Sequence, residues 1–135
     1  MIMFDTDICI YILNRKPCHE SILKRLDGRE HGEIVLSAIT LAELRYGIAG
    51  SRRRNLNLAK LELFLASFEV VPFDDRAAFA YGPLRAHLQA QGTPIGPLDA
   101  LIAAPALSLG ATVVTNNVRE FSRVPNLVME NWLAP

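Results

Sequence analysis

The chain has 135 residues, half of them hydrophobic, and its 14 basic side chains balance its 14 acidic ones. This length is enough for a single domain over residues 1–135 with a proper core, and it excludes two such domains. The zero net charge argues neither for nor against nucleic acid, but residues 1–60 hold ten Lys and Arg against seven Asp and Glu, and residues 61–135 hold four against seven. We therefore expect a basic flank beside an acidic pocket.

Apolar runs alternate with helical spacings along the chain. Strands are predicted at Ile2–Phe4, Ile34–Leu36, Val70–Phe73, Ala111–Val114 and Leu127–Met129, and helices at Asp7–Leu13, Cys18–Leu26, Leu41–Ile48, Leu56–Phe68, Arg76–Gln89 and Leu98–Leu109. This alternation predicts an α/β fold whose parallel sheet is covered on both faces. Because ligands collect at the carboxyl ends of such strands, the polar residues that follow each strand are the candidate site.

Two carboxylates, Asp5 and Asp7, follow the first strand and are separated only by Thr6. A carboxylate drawn toward a core loses several kcal/mol of hydration unless it is paired, protonated or bound to a cation. A divalent cation would relieve the repulsion between the two acids, and oxygen ligands suit Mg²⁺ or Mn²⁺. The alternative is that Asp5 or Thr6 only caps the next helix.

Glu43 lies one turn into the helix that leaves the second strand. It shares a face with Gly47 and Gly50, whose missing side chains leave room for a neighbouring element or a substrate. The alternative is a solvated surface charge.

Asp99 is the third residue of the helix that Pro97 begins, and it is the only charge between Leu98 and Val114. It is a candidate metal ligand, or it only interacts with the helix macrodipole. The preceding segment, 91–97, is predicted to be a loop that either reaches over the pocket or simply connects two helices.

The fourth strand runs into a polar segment. Thr115, Asn116 and Asn117 supply neutral oxygens and amides, and Glu120 could add charge. Asn-Asn is otherwise ordinary turn chemistry.

Six cations are candidates for contact with phosphates, and such contacts make binding salt-dependent. They are Arg15, Lys16, Arg45, Arg52, Arg53 and Arg54. Arg52–Arg54 could instead be a solvated helix start, and Arg45 could pair with Glu43 or a neighbouring acid.

The two cysteines, Cys9 and Cys18, lack the spacing of zinc ligands and are expected to be reduced thiols of a cytoplasmic protein. The amino terminus does not have the pattern of a signal peptide, and the most apolar stretch, Leu98–Val114, is too short and too interrupted for a membrane span.

Four ordered blocks of the sequence resemble those of a PIN-domain ribonuclease, specifically a VapC-type toxin of a bacterial toxin–antitoxin pair. They are Phe4-Asp5-Thr6-Asp7 with Cys9-Ile10-Tyr11, residues 40–47 (TLAELRYG), residues 95–104 (IGPLDALIAA) and residues 114–121 (VTNNVREF). The resemblance implies a PIN-like three-layer α/β/α sandwich with a mainly parallel sheet of four to five strands.

The resemblance also implies a function. It implies a Mg²⁺- or Mn²⁺-dependent endoribonuclease in which Asp5, Glu43 and Asp99 bind metal, with Asn117 where many relatives have a fourth acid. Thr6, Asp7, Thr115, Asn116 and Glu120 would support this site. It further implies a homodimer that a cognate VapB-type antitoxin inhibits, and it makes initiator tRNA, at its anticodon stem-loop, a candidate target.

Three departures from the family pattern bear on activity. Asp7 stands where many relatives have Asn, Asn117 replaces an acid, and Pro105 falls inside a helix where similar sequences have His. A proline there removes the bond to the Leu101 carbonyl and costs about 3 kcal/mol or more unless the helix bends. A PIN-like module that binds RNA or antitoxin without cutting is therefore one alternative.

A phosphatase of the haloacid dehalogenase type is another alternative, because Asp5-Thr6-Asp7 after a strand resembles that family's motif. Such an enzyme needs a later lysine, whereas the last lysine here is Lys60.

Overall fold

The structure is a computed structural model that describes residues 1–133. Five strands alternate with helices, as the sequence predicts. The strands are β1 (Ile2–Phe4), β2 (Ile34–Ser37), β3 (Glu69–Val71), β4 (Thr112–Val114) and β5 (Met129–Glu130). The helices are α1 (Thr6–Leu13), α2 (His19–Leu26), α3 (Ala38–Ala49), α4 (Arg54–Leu65), α5 (Asp75–Ala90), α6 (Pro97–Leu109) and α7 (Val118–Phe121).

The strands form one parallel sheet in the order β3-β2-β1-β4-β5. The central strand, β1, pairs Phe4 with Leu36 of β2 on one side and with Val114 of β4 on the other. Because all strands run the same way, the residues that follow β1, β2 and β4 emerge at one edge of the sheet. The predicted α/β fold is confirmed, and its sheet has five strands, all parallel.

The core lies on both faces of the sheet. Phe4 packs on one face with Ile8 of α1 and Leu61 of α4, and Met3 packs on the other with Ile102 of α6. Successive residues of a strand point to opposite faces, so a fully apolar β1 can serve both layers. Trp132 is also buried, with its ring edge-on to Phe4 at 5.5 Å between centroids, so it completes the core on this face.

Helix caps explain why α1 and α3 begin earlier than predicted. Asp5 Oδ1 accepts the backbone N–H of Thr6, so α1 begins at Thr6 rather than Asp7. Ser37 Oγ accepts the N–H of Thr40, so α3 begins directly after β2 instead of at Leu41. Both caps stand at the carboxyl end of a strand and turn the chain into a helix without an intervening loop.

Other boundaries differ from the prediction as well, among them those of β3, β5 and α4. Strand β3 ends at Val71 rather than Phe73, because Pro72 has no N–H to continue the ladder. Strand β5 is shifted toward Glu130, and α4 covers Arg54–Leu65 rather than Leu56–Phe68. The four-residue α7 was not predicted, since one turn is too short to show helical periodicity.

Helix α6 begins at Pro97, as predicted, and it continues through the buried Pro105 to Leu109. The loop predicted at residues 91–97 connects it to α5, apart from Pro97 itself. Cys9 is buried and Cys18 is exposed, and both are free thiols. Within residues 1–133, no helix has the length and apolarity needed to cross a membrane.

Candidate active site

Asp5 lies at the carboxyl end of the central strand and is 4% exposed. Its Oδ1 accepts the Thr6 N–H at 2.8 Å, and its Oδ2 accepts the hydroxyl of Thr115, the residue that follows β4, also at 2.8 Å. The Thr115 hydroxyl in turn accepts the N–H of Asn117 at 2.8 Å. These bonds join the ends of β1 and β4 and hold the Asp5 carboxylate in one orientation.

Glu43 is brought to the same edge by α3. The Thr6 hydroxyl donates to Glu43 Oε1 at 2.7 Å and lies 3.1 Å from the hydroxyl of the buried Thr40. The Thr6 side chain, which follows β1, thus contacts two side chains of α3, the helix that follows β2. The Thr6 hydroxyl orients the Glu43 carboxylate, while its support of a metal site stays a prediction.

Asp99 lies in the first turn of α6, beside Asn117 and Glu120. The Asn117 Nδ2 donates to Asp99 Oδ2 at 3.3 Å and to Glu120 Oε2 at 3.2 Å. Glu120 also accepts the backbone N–H of Gly96 at 3.4 Å. The amide of Asn117 therefore bridges two carboxyl groups.

Asp7 lies beside Asp5 and, like Asp5, reaches the segment after β4. Its Oδ2 accepts the N–H of Asn116 at 3.1 Å, whereas its Oδ1 is buried without a hydrogen-bond partner. A buried acceptor without a partner costs about 1–3 kcal/mol, so this oxygen is a place where an additional donor or cation would stabilise the fold.

The pKa values reflect this crowding of acids. Burial, followed by the charge of Asp7, raises the pKa of Asp5 to about 7, and burial also raises the pKa of Asp7. Burial, the shared proton with Glu120 and the charges of Asp5, Glu120 and Glu43 raise the pKa of Asp99 to about 8. The pKa of Glu120 is lowered, chiefly because Asp99 donates to it. The site thus holds more negative charge than its own hydrogen bonds compensate.

The donor set fits a hard divalent cation. Carboxylates from three elements act on one another electrostatically, and each has oxygen atoms that suit Mg²⁺ or Mn²⁺. Within residues 1–133, however, no three Asp, Glu, His or Cys side chains are already gathered into a formed ion site. Binding of one shared ion by Asp5, Glu43 and Asp99 therefore requires their side chains to rotate toward a common point.

Sequence reasoning missed three supporting groups. Ser37 and Thr40 form a buried hydroxyl pair, 3.3 Å apart, beneath Thr6. Gly96 lies so close to the site that a Cβ there would come within 3.2 Å of Asp99 Oδ2. Serine is a common N-cap residue, a signal that could have identified Ser37 at the end of β2, whereas the approach of Gly96 depends on tertiary packing.

The predicted phosphate-binding cations lie outside this cluster. Arg45 is exposed and pairs with Glu62 of α4 at 3.3 Å rather than with Glu43. Lys16 lies over the Tyr11 ring, 5.3 Å from its centroid. Arg15 and Arg52–Arg54 are exposed, and only Arg54 belongs to α4. Contact of these side chains with RNA stays a prediction.

Acidic side chains cluster at one edge of the parallel sheet. Comparison with known sequences identifies the protein family to which this arrangement belongs. The sequence model of the PIN domain matches residues 2–127. The chain is 43% identical to ribonuclease VapC2 of Rickettsia felis over 131 residues, 96% of each chain. It is 42% identical to the tRNA(fMet)-specific endonuclease VapC of Salmonella typhimurium over 130 residues, again 96% of each chain.

A solved structure agrees with these relatives. The chain superposes on VapBC2 from Rickettsia felis, bound to a DNA fragment from its promoter, with a TM-score of 0.88 and 42% identity, over 98% of this chain and 99% of that one. The chain therefore belongs to the PIN-domain family and, within it, to the VapC ribonucleases.

Proposed function

We propose that this chain is a metal-dependent endoribonuclease toxin that hydrolyses RNA phosphodiester bonds. The observation that carries the proposal is that hydrogen bonds from Thr115, Thr6 and Asn117 reach the carboxyl groups of Asp5, Glu43 and Asp99 at one edge of the sheet. Asp5, Glu43 and Asp99 would hold Mg²⁺ or Mn²⁺, which when bound supplies activation of water and neutralisation of charge on the phosphate.

The residues around the three acids have positioning roles in this proposal. Thr115 and Thr6 fix the orientations of Asp5 and Glu43 through their hydroxyl hydrogen bonds. The Asn117 amide stands between Asp99 and Glu120, where a fourth acid would add repulsion. A neutral residue at this position supports a site that binds one ion tightly and leaves any second ion dependent on substrate phosphate.

A VapB-type antitoxin and RNA are the proposed partners. Similar solved structures are described as VapBC assemblies, and the Salmonella relative is named for tRNA(fMet). These names support a cognate antitoxin for this chain and make initiator tRNA the first substrate to test.

A homodimer is also part of the proposal. Tyr46 of α3 and Phe79 of α5 are 84% and 85% exposed, and a second copy that covers them would remove this apolar surface from water. Sedimentation of the protein without antitoxin tests this assembly.

Cleavage of tRNA in the presence and absence of EDTA tests the reaction. We expect cleavage that requires Mg²⁺ or Mn²⁺ and leaves 5′-phosphate and 3′-hydroxyl ends, because the 2′-hydroxyl is not the nucleophile. Cleavage that survives EDTA, or ends that carry a 2′,3′-cyclic phosphate, would contradict the mechanism.

A module that binds RNA or antitoxin without cutting is the second candidate, which Asn117 and the buried Pro105 favour. Induction in cells separates the two candidates. Growth arrest that disappears in Asp99→Asn supports catalysis, whereas arrest that persists in this variant supports sequestration.

A further inference from the structure

A depression of about 290 Å³ lies beside Glu43, between α1, α3 and the beginning of α4. Its lining combines apolar side chains, among them Leu13 and Ile48, with the uncharged polar side chains Asn14, Ser51 and Asn57. Ligand pockets in proteins usually have volumes of about 300–1,000 Å³. This one has room for a single nucleoside and not for a duplex.

Gly47 keeps this depression open. It also lines the depression, and a Cβ added to it would meet no atom within 4 Å. Glycine inside a helix costs about 0.5–1 kcal/mol relative to alanine. An alanine side chain at residue 47 would clash with no neighbouring atom, so packing does not explain the glycine. What the glycine provides is open space in the depression.

Asn57 is held in one orientation at the depression. Its Nδ2 donates to Ser51 Oγ at 3.1 Å, and Ser51 Oγ donates to the Ile48 carbonyl oxygen at 2.8 Å. The Asn57 side chain thereby keeps an acceptor oxygen and a second N–H for another partner. Such a carboxamide matches the adjacent donor and acceptor atoms on the edge of a nucleobase.

Cations flank the depression on two sides. A shallow surface lined by Arg52–Arg54 shares Ser51 with it, and another lined by Arg15 and Lys60 shares Asn14. A nucleotide chain crossing here would have cations near its phosphates and an apolar space beneath one base. An apolar peptide side chain would use the space but not the cations.

We propose that this depression is a base-recognition pocket for one unstacked nucleotide of a single-stranded RNA, next to the phosphate that is cleaved. The pocket rests on the proposed nuclease function, because Glu43 belongs both to its lining and to the acidic cluster. Single-stranded RNA is commonly recognised by such insertion of a splayed base. Asn57 sets the base preference, and Gly47 provides the space.

A pool of randomised single-stranded RNA tests this pocket through two readouts. The first is the base composition around the cut, obtained by sequencing the 5′-phosphate ends. The second is the composition of RNA retained by an Asp99→Asn protein, which does not depend on cleavage. Gly47→Leu fills the pocket, Asn57→Asp changes its hydrogen-bonding pattern, and Ala86→Leu on an exposed face of α5 is the matched control.

We expect a base preference at one position beside the cut. Gly47→Leu should lower kcat/KM roughly ten- to hundredfold, chiefly through KM, because one bound base contributes on that scale. Asn57→Asp should change the preferred base, and Ala86→Leu should change neither quantity. Mn²⁺ binding, followed by electron paramagnetic resonance, should persist in Gly47→Leu.

Three results would overturn the pocket. One is a Gly47→Leu enzyme with wild-type KM and preference. Another is that the RNA retained by the Asp99→Asn protein shows the same base enrichment whether or not Gly47→Leu is also present. This comparison can be made even if no variant cleaves RNA. The third is a Gly47→Leu protein that loses antitoxin binding while its RNA cleavage is unchanged, which would assign the pocket to a peptide.

Discussion

Asp5 is the one charged residue within residues 1–133 whose side chain is buried. Two hydrogen bonds, from Thr6 and Thr115, are too few to compensate for lost hydration and for the neighbouring Asp7. The pKa of Asp5 is therefore about 7. Its carboxyl group is mostly protonated in weakly acidic solution, and in alkaline solution it is mostly ionised and able to bind a cation. A proton and a metal ion are alternative ways to relieve the same charge.

The stability of the metal-free protein is expected to fall as pH rises from about 5 to 8. Asp5 and Asp99 have pKa values of about 7 and 8 in the folded protein against 3.8 ordinarily, so the folded state binds more protons than the unfolded chain across this range. Stability decreases with pH wherever that holds. Melting temperatures in EDTA at pH 5 and pH 8 measure the effect.

Excess Mn²⁺ should raise the melting temperature at pH 8 and have little effect at pH 5. Asp5→Asn, which cannot ionise, should show a flatter dependence on pH. A wild-type melting temperature that rises from pH 5 to pH 8 in EDTA would show that the folded carboxyl groups are not held protonated.

At the scale of the element, Ser37 links strand β2 to helix α3. It is the last residue of β2, and its hydroxyl accepts the N–H of Thr40 at 3.0 Å. This cap fixes where α3 begins and therefore where Glu43 lies relative to the strand edge. The position of a proposed metal ligand thus depends on a residue that does not contact the ion.

Ser37→Ala should lower the free energy of unfolding by about 1 kcal/mol, within a range of about 0.5–2 kcal/mol for removal of a helix cap. Urea denaturation measures this change. Ser122→Ala, at an exposed residue after α7, is the control and should stay within about 0.5 kcal/mol of wild type. Equal stabilities of the two variants would mean that the Ser37 cap does not stabilise α3.

The sequence predicted most elements because their signals are local. The apolar run of β1 and the Gly-Pro start of α6 needed no tertiary information. The apolar spacing alone predicts that α3 begins at Leu41, because it does not include the Ser37 cap that extends the helix back to Ala38. The apolar run at Leu127–Met129 does not give the exact position of β5, because only two residues pair there and packing decides the register.

At the scale of the whole molecule, the order of the sheet brings distant acids together. Strands β2 and β4 flank β1, so the segments that carry Glu43, Asp5 and Asp99 converge on one edge. The rule for parallel sheets predicts that the residues after β1 and β2 meet at this edge, whereas the place of Asp99 beside them is what the family resemblance implies. The bridge from Asn117 to Asp99 could not be predicted, because it depends on how α6 and α7 pack.

The exposed arginines at the start of α4 provide a test at this scale. Replacing Arg52, Arg53 and Arg54 together by Ala in an Asp99→Asn protein should reduce the dependence of RNA affinity on salt. The slope of log K against log salt should fall by about 0.7 for each phosphate that the protein no longer neutralises. Arg76→Ala on α5 is the control, and an unchanged slope in the triple variant would exclude these arginines from the RNA surface.

Metal binding by individual acid variants tests the central claim most directly. Titration of Mn²⁺ into wild type, Asp5→Asn, Glu43→Gln and Asp99→Asn, followed by electron paramagnetic resonance at pH 8, measures whether these three side chains share one ion. We predict tight binding by the wild type and strongly weakened binding by each variant, with Glu62→Gln on α4 unaffected. Wild-type affinity in any one of the three variants would contradict a site shared by Asp5, Glu43 and Asp99.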